Sequence, residues 1–299
     1  MFAYDITLIT AEKYLNPTER NAYNNNVLLE DKLVQDALEA EGLRVLRLNW
    51  DAKDFDWSTT KYVLFRAIWD YFERYDEFLS WLERARTQTM FINSIETVKW
   101  NIDKHYLLDL AWNGVAIPPT YFIEPGDERS LKKIFDTCGW PKVVLKPAIA
   151  GGAFHTYVIT PENIVDYEIL FKELIAKDSF MLQEFQHQIM SKGEVSLMVF
   201  GGQYSHAVLK KGKPGDFRVQ DDFGGTLHEY RPSPSEIAFA ESCVAACKEL
   251  PAYARVDVLW DNNDELVLGE LELIEPELWF RRHEPAAKLL ADSIVKNMT

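Results

Sequence analysis

Near the C-terminus, two runs of alternating apolar and charged side chains flank five turn-forming residues: ARVDVLW at 254–260, DNNDE at 261–265 and LVLGELEL at 266–273. Alternation of this kind fits a strand with one apolar face, and the intervening Asp and Asn residues predict a hairpin. If Asp261 pairs with Leu266 across a four-residue loop, Asp257 falls opposite Glu270 and Arg255 opposite Glu272, with cross-strand neighbours about 5 Å apart. Three carboxylates and one guanidinium then share one patch, where like charges oppose each other by on the order of a few kcal/mol. Two arrangements relieve this. Arg255 can neutralise Glu272 in an ordinary surface ladder, or hard cations can occupy the patch. Mg2+ takes one or two carboxylates together with substrate phosphates, so the second arrangement predicts a bound nucleotide.

A nucleotide would have to be met by local positive charge, because the chain as a whole is acidic: 47 Asp and Glu against 32 Lys and Arg give a net charge of -15. That balance excludes a nucleic-acid backbone as the main partner, which would need clustered basic residues. The expected partner is a small molecule. The start, MFAYDITLITAEKYL, lacks the basic and apolar regions of a signal peptide, and no run approaches the roughly 20 apolar residues of a membrane span. Cys138, Cys243 and Cys247 are few, and Cys243 and Cys247 lack histidines at zinc-ligand spacing, so structural thiols in a reducing cytoplasm are expected.

The length of 299 residues predicts about two domains of ordinary size. Within the first hundred residues, DITLIT, LRVLRLNW, KYVLFRAIWDY and MFINS read as strands. Between them lie the helical patterns VLLEDKLVQDALEAEG, capped at Gly42, and DEFLSWLERART. This βαβ order predicts a parallel sheet whose ligands bind at strand carboxyl ends, here Arg66 to Tyr71 and Asn93. NAYNNN at 21–26 reads as a polar loop. From 102 onward come the helix DKHYLLDLAWNG, the strand-like PPTYFI, and KVVLKPAIAGGAFHTYVI as two strands joined by a glycine loop. FMLQEF and EVSLMVF follow as strands, then a polar loop from Lys210 to Gly225, the helix SEIAFAESCVAACKEL and the hairpin.

A phosphate site is readable in VVLKPAIAGGAFHT. Lys146 ends an apolar strand, and Gly151 and Gly152 let backbone N–H groups approach a ligand without Cβ obstruction. Lys104 is a second candidate cation. Each has an ordinary alternative: a solvated strand end for a lysine, a simple turn for GG. Neither the P-loop nor the dinucleotide fingerprint is present. Arg66 follows a strand and could bind a substrate carboxylate, with Trp69, Asp70 and Tyr71 shaping the pocket. Alternatively, WDY begins a helix, with Asp70 as its N-cap. Arg281 and Arg282 are divided between acceptor binding and surface, His155 between phosphate contact and no role.

Taken in order, Lys104, VVLKPAIAGG, LQEF, GEVSLMVFGG, GDFRVQDDFGG, ARVDV and GELELIEP resemble the ATP-grasp superfamily over about residues 100–280. The implied fold is α/β: a pre-ATP-grasp substrate domain at 1–100, a small subdomain with the glycine loop at 101–183 and a C-terminal subdomain with the metal site at 184–299. The resemblance implies that Lys104, Lys146 and the Gly151–Gly152 loop contact ATP phosphates, that Glu184 and Phe185 form the adenine hinge, and that Glu194 holds the ribose. It implies Mg2+ ligands at Asp257, Glu270 and Glu272, two ions with Mn2+ able to substitute, and an acyl-phosphate-stabilising arginine at Arg255. Arg218 is similar to the arginine of ribosomal-protein glutamate ligases; glutathione synthetases are also similar. Many members have E-x-N where this chain has Glu270-x-Glu272, which leaves the role of Glu272 open.

A narrower resemblance, carried by LFRAIWDY, TVKWNIDKHYL, SHAVLKKGKPGDFRVQ and ELELIEPELWFRR, is to the cycloserine-forming cyclo-ligases that close O-ureidoserine into a ring. Kinship of fold does not transfer substrate identity. The implied chemistry is carbon–nitrogen ligation through an acyl phosphate, with ring closure as one form, and Arg66 and Asp70 as candidate substrate residues. A kinase-like enzyme that stops at phosphorylation and a nucleotide-binding sensor are the competing readings. A homodimer is left open as an assembly state, and Glu275 and Glu277 are unexplained.

Overall fold

The computed structural model describes residues 2–152, 154–219 and 223–298. The βαβ order of the N-terminal sequence builds a parallel sheet from β1 (Tyr4–Thr10), β2 (Val45–Asn49), β3 (Thr60–Phe65) and β4 (Met90–Ile92), in the order β2-β1-β3-β4. After β1 come the short α1 (Glu12–Leu15) and the long α2 (Ala22–Ala40); α3 (Tyr75–Ala85) precedes β4, and α4 (Ile95–Asn101) follows it. The expected loop at 21–26 is instead the start of α2. Asn21 is its N-cap, accepting from the backbone of Asn24 at 2.8 Å, so the asparagine run supplies a cap and a first turn rather than a break. The strand expected through Tyr71 stops at Phe65, and residues 69–74 form turns.

After α5 (Tyr106–Trp112), the chain lays down an antiparallel sheet from β5 (Thr120–Ile123), β6 (Val143–Pro147), β7 (Tyr157–Ile159) and β8 (Phe180–Glu184), in the order β5-β8-β6-β7. Helices α6 (Leu131–Cys138) and α7 (Glu168–Ile175) cover it. Its core of Ile123, Leu131, Val143, Phe171, Phe180 and Leu182 is its own.

The third sheet is antiparallel, β11-β10-β9-β12-β13, from β9 (Glu194–Phe200), β10 (Gln203–Lys211), β11 (Thr226–Glu229), β12 (Tyr253–Trp260) and β13 (Leu266–Glu272). Lys210 therefore lies in β10, not at the start of a loop. Helix α8 (Pro234–Ala245) opens with a capping box between Ser233 and Glu236. Cys243 on this helix and Cys247 just past its end lie in an apolar cluster, where burial pushes both thiols up to about 12, as for inert packing residues. The C-terminal α9 (Pro285–Asn297) packs Leu290 and Ile294 into a core shared by Ile6, Leu8 and Leu64 of the parallel sheet, Met198 and Tyr253 of the third, and Phe280 from the segment after β13. Among the described residues, no helix is long and apolar enough to cross a membrane.

Asn93, at the carboxyl end of β4, ties these two sheets together. Buried at 4% exposure, it donates to the carbonyls of Tyr253 (3.0 Å) and Leu273 (2.9 Å) and accepts from Ala252 N (2.6 Å). Asn101 does the same for Leu271 O and Leu273 N, at 2.8 and 2.9 Å. Replacing Asn93 by alanine leaves three buried backbone groups unpaired, at a cost of roughly 1–3 kcal/mol for each unsatisfied group before relaxation. Denaturant unfolding of N93A is expected to show a loss of at least about 2 kcal/mol. An unchanged midpoint would show that the two sheets are held by apolar packing alone.

Candidate active site

The hairpin of β12 and β13 pairs Arg255 with Glu272 and Asp257 with Glu270, the facing pairs expected from the alternation. The turn is nevertheless one residue longer than expected: Trp260, not Asp261, pairs with Leu266, and Asp261 N closes the loop on Glu265 O at 2.8 Å. A register shift between Asp257 and Val258 restores the pairing, with Gly269 as the extra residue of β13. A Cβ at Gly269 would meet Leu259 Cδ2 at 3.1 Å and Asp257 O at 3.4 Å, so the bulge is tight against its partner strand.

Every carboxylate of this patch meets a basic side chain. Asp257, 2% exposed, accepts from Arg255 Nε (3.0 Å) and Nη2 (2.8 Å), from Lys210 Nζ (3.1 Å) and from Ser196 Oγ (2.5 Å). Arg255 also bridges to Glu272, and Lys210 to Glu194. Lys104 pairs with Glu270 at 3.1 Å and donates to Ala150 O at 2.7 Å. Both Arg255 and Lys210 lie over the ring of Trp279, at 5.2 and 5.9 Å. Burial would raise the Asp257 carboxyl, but Arg255 and Lys210 outweigh it and hold it well below the usual range. Burial, Asp257 and the neighbouring glutamates together outweigh Arg255 at Glu272 and push its carboxyl up to about 8. Burial likewise pushes the Glu275 carboxyl up to about 7.

Among the described residues, no group of three or more His, Cys, Asp or Glu side chains stands ready to hold a metal ion, because basic partners take these carboxylates. The donor set nonetheless fits Mg2+. Its atoms are hard carboxylate oxygens, and the raised carboxyl of Glu272 marks an excess of negative charge that a divalent cation would remove.

The patch forms one wall of a cavity of about 630 Å³ that also takes in Lys104, Lys146, Gly151, Gly152, Glu184, Phe185, Glu194 and Arg218. Lys146 is half-buried on β6, and burial holds its ammonium below the usual lysine range. Gly152 has φ +57°, and a Cβ at Gly151 would meet the Phe72 ring at 3.1 Å, so the loop lies close against the turn at residues 69–74. At the expected hinge, Phe185 N donates to Lys142 O at 3.0 Å and its ring carries Lys142 Nζ at 3.7 Å. Asn262, from the hairpin turn, locks this segment: its Nδ2 donates to Phe185 O at 3.1 Å and its Oδ1 accepts from His187 N at 2.9 Å. Arg218 is held by Asp216 at 2.8 Å and lies 4.0 Å over the Phe223 ring.

Two expected substrate residues stand elsewhere. Neither Arg66 nor Asp70 lines the cavity, although Trp69 and Tyr71 do. Arg66 is 4% exposed, pairs with Asp31 at 3.2 Å and has no hydrogen-bond partner for Nη1. Asp70 is not a helix cap either: it accepts from Trp50 Nε1 at 2.9 Å and pairs with Arg74 at 3.0 Å, while α3 starts at Tyr75. Arg281 bridges Glu30 (2.9 Å) and Glu277 (2.6 Å), and Glu30 accepts from the backbone of Phe280 and Arg281. His155 bonds Tyr157 at 2.7 Å and is not among the lining residues. The residue missed is Lys210. Its signal was the alternation of His206, Val208 and Lys210 on one face of a strand returning from Gly201–Gly202.

Residues 6–93 match the family model for the D-cycloserine synthetase DcsG N-terminal domain. The chain is homologous to the cycloserine biosynthesis protein DcsG of Streptomyces lavendulae, with 28% identity over 290 residues that cover 88% of this chain and 92% of that protein. The crystal structure of D-cycloserine synthetase DcsG superposes with a TM-score of 0.86 at 24% identity, covering 98% of this chain and 99% of that one. A RimK domain ATP-grasp protein from Sphaerobacter thermophilus gives 0.66 at 15% identity, covering 97% and 98%. D-alanine–D-alanine ligase from Bacillus anthracis gives 0.65 at 14%, covering 98% and 97%. The fold is that of the ATP-grasp proteins.

Proposed function

We propose that this homologue of DcsG, with its ATP-grasp fold, is a Mg-ATP-dependent ligase that activates the carboxylate of a small molecule, an amino acid, as an acyl phosphate. The observation that carries the reading is the composition of one cavity wall: Asp257, Glu270 and Glu272 face Lys104, Lys146, Lys210 and Arg255 around a space of about 630 Å³. Alternating anionic and cationic side chains are what a polyphosphate with its counter-cation needs.

In this reading the γ-phosphoryl group passes to a substrate carboxylate oxygen as its bond to ADP breaks. An amine, or a nucleophile on the same molecule, then attacks the acyl carbon and phosphate leaves; attack within one molecule closes a ring. Lys104, Lys146 and Lys210 line up positive charge for the phosphates, and the Gly151–Gly152 loop offers backbone N–H groups to them. Mg2+ held by Asp257, Glu270 and Glu272 would neutralise charge on those phosphates. Arg255 stabilises negative charge on the acyl phosphate and tetrahedral oxygens, with Arg218 beside the transferred group. Glu184 and Phe185 frame the adenine and Glu194 the ribose. The residues act by position and charge, and no side-chain nucleophile is used.

Measuring ADP release over an amino-acid panel, with hydroxylamine present to trap acyl phosphate, tests the proposal. Hydroxamate is the expected product; ADP with a stable phosphorylated product and no hydroxamate would establish a kinase instead. Lys146→Ala is expected to weaken ATP binding by about 10- to 100-fold. It should leave thermal stability unreduced, because burial disfavours that ammonium until an anion arrives. Calorimetric titration with ATP gives the affinity, and a wild-type value would remove Lys146 from the phosphate site.

A further inference from the structure

The cavity lining also includes Tyr14, Tyr23, Trp69 and Tyr71 from the N-terminal region and Glu275 from the segment after β13. The rings of Tyr14, Tyr23 and Trp69 form a corner, with centroids 5.5, 6.2 and 6.3 Å apart pairwise. Trp69 Nε1 donates to the backbone carbonyl of Glu275 at 2.8 Å, which fixes that residue against the corner. The Tyr71 hydroxyl is a neighbour of the Glu275 carboxylate and favours its charged form.

Glu275 differs from the acidic groups on the hairpin and beside it. Glu194, Asp257, Glu270, Glu272 and Glu277 each form an ion pair with a lysine or arginine. Among the described residues Glu275 has none, although it is half-buried. The charge of Lys104, which pairs with Glu270, reaches Glu275 from beyond ion-pair distance. A carboxylate withdrawn from water with no cation in contact is a costly arrangement unless a ligand supplies the charge. The surrounding rings narrow which cation that is. Aromatic faces attract an ammonium and offer no oxygen to a hard metal ion. Lys13 already demonstrates the affinity, with its Nζ 4.9 Å over the Tyr14 ring.

We propose that the substrate is selected by an ammonium group, and that Glu275, backed by Tyr71 and the Tyr14–Trp69 corner, is the residue that receives it. The proposal rests on the ligase reading and deepens it. Glu275 lies three residues beyond Glu272, close enough to Glu270 and Glu272 for their charges to act on one another. An α-amino acid carries its ammonium and its carboxylate on one carbon, so it can present the carboxylate to the phosphates at the hairpin while its ammonium faces Glu275. A plain carboxylic acid of the same shape would leave Glu275 unpaired, and the cavity would discriminate against it.

The experiment titrates the full chain, loaded with magnesium and a non-hydrolysable ATP analogue, with the D and L forms of the common amino acids. Each is tested beside its des-amino acid, and binding is read by saturation-transfer NMR and calorimetry. At least one amino acid is expected to bind more tightly than its des-amino partner by about 10-fold or more. That preference should vanish in E275Q and shrink in Y71F, with affinity for the ATP analogue unchanged in both as the check on folding. Equal binding of each pair, no binding of either class, or a preference that survives both substitutions overturns the proposal. Hydroxamate trapping separates the two readings. Equal trapping from amino and des-amino acids would leave the ligase standing and remove the selection by Glu275, whereas selective binding without any hydroxamate would leave the selection and remove the ligase.

Discussion

Glu270→Gln is expected to lower kcat by at least about 10²- to 10³-fold, equivalent to roughly 3–4 kcal/mol of transition-state stabilisation, with the fold intact. The amide has nearly the size of the carboxylate, so packing around β13 is preserved. Lys104, its partner at 3.1 Å, keeps its bond to Ala150 O. The lost property is charge. Burial would raise the Glu270 carboxyl, but Lys104 and Lys146 prevail and hold it below the usual range, so the wild-type group is an anion at neutral pH. A neutral amide is a poor ligand for Mg2+ and leaves Lys104 and Lys146 facing each other without an anion between them. Because of that excess positive charge, ATP affinity without metal is expected to hold or improve while turnover collapses. Steady-state ADP release and metal-free nucleotide titration on the same preparation read the two effects separately. A wild-type kcat would show that Glu270 holds no catalytic metal.

The acidic pairs of this site were legible in the sequence because strand periodicity is strict: in ARVDV and GELEL, one face is apolar and buried, so the charged residues have only the other face to occupy. The exact turn was not legible. A loop longer by one residue and a bulge at Gly269 offset each other, so the correct cross-strand pairs emerged from an incorrect register near the turn. The same limit concealed Lys210. Counting back from Phe200 and Gln203 would pair Glu194 with Leu209, and only the shift between Tyr204 and His206 brings Lys210 opposite Glu194. Bulges are set by twist and by packing of neighbouring strands, which a local pattern does not encode. Arg66 misled for a related reason. Its position at a strand's carboxyl end agrees with the general rule for parallel sheets, but Asp31, buried on α2, offers it a partner from a helix whose rotation the sequence leaves free. The run NAYNNN was assigned by composition when its first asparagine was a cap.

Removing Arg255 tests how far the site holds itself together without a ligand. Its side chain is 11% exposed and joins Asp257 to Glu272; Asp257 retains Lys210 and Ser196, while Glu272 has no other basic partner among the described residues. Arg255→Met, which keeps contact with Trp279 but carries no charge, is expected to cost about 3–5 kcal/mol in chelator-containing buffer. Part of that loss should return in the double variant R255M/E272Q, where the stranded carboxylate is gone. The pH dependence has a definite sign. The folded-state carboxyl of Glu272 lies near 8, above its ordinary 4.5, so between those values the folded chain binds more protons than the unfolded one. This contribution is present in full below about 4.5 and is lost as pH rises toward 8. Without Arg255 to favour the anion, the raised carboxyl moves higher still, so the penalty of R255M should be smaller near pH 6 than near pH 9. In R255M/E272Q that difference should disappear. Denaturant unfolding of the four proteins at both pH values gives the coupling directly. A loss that is independent of pH and untouched by E272Q would mean that Arg255 acts through its packing on Trp279, and the charge network would then be a consequence of the fold instead of one of its supports.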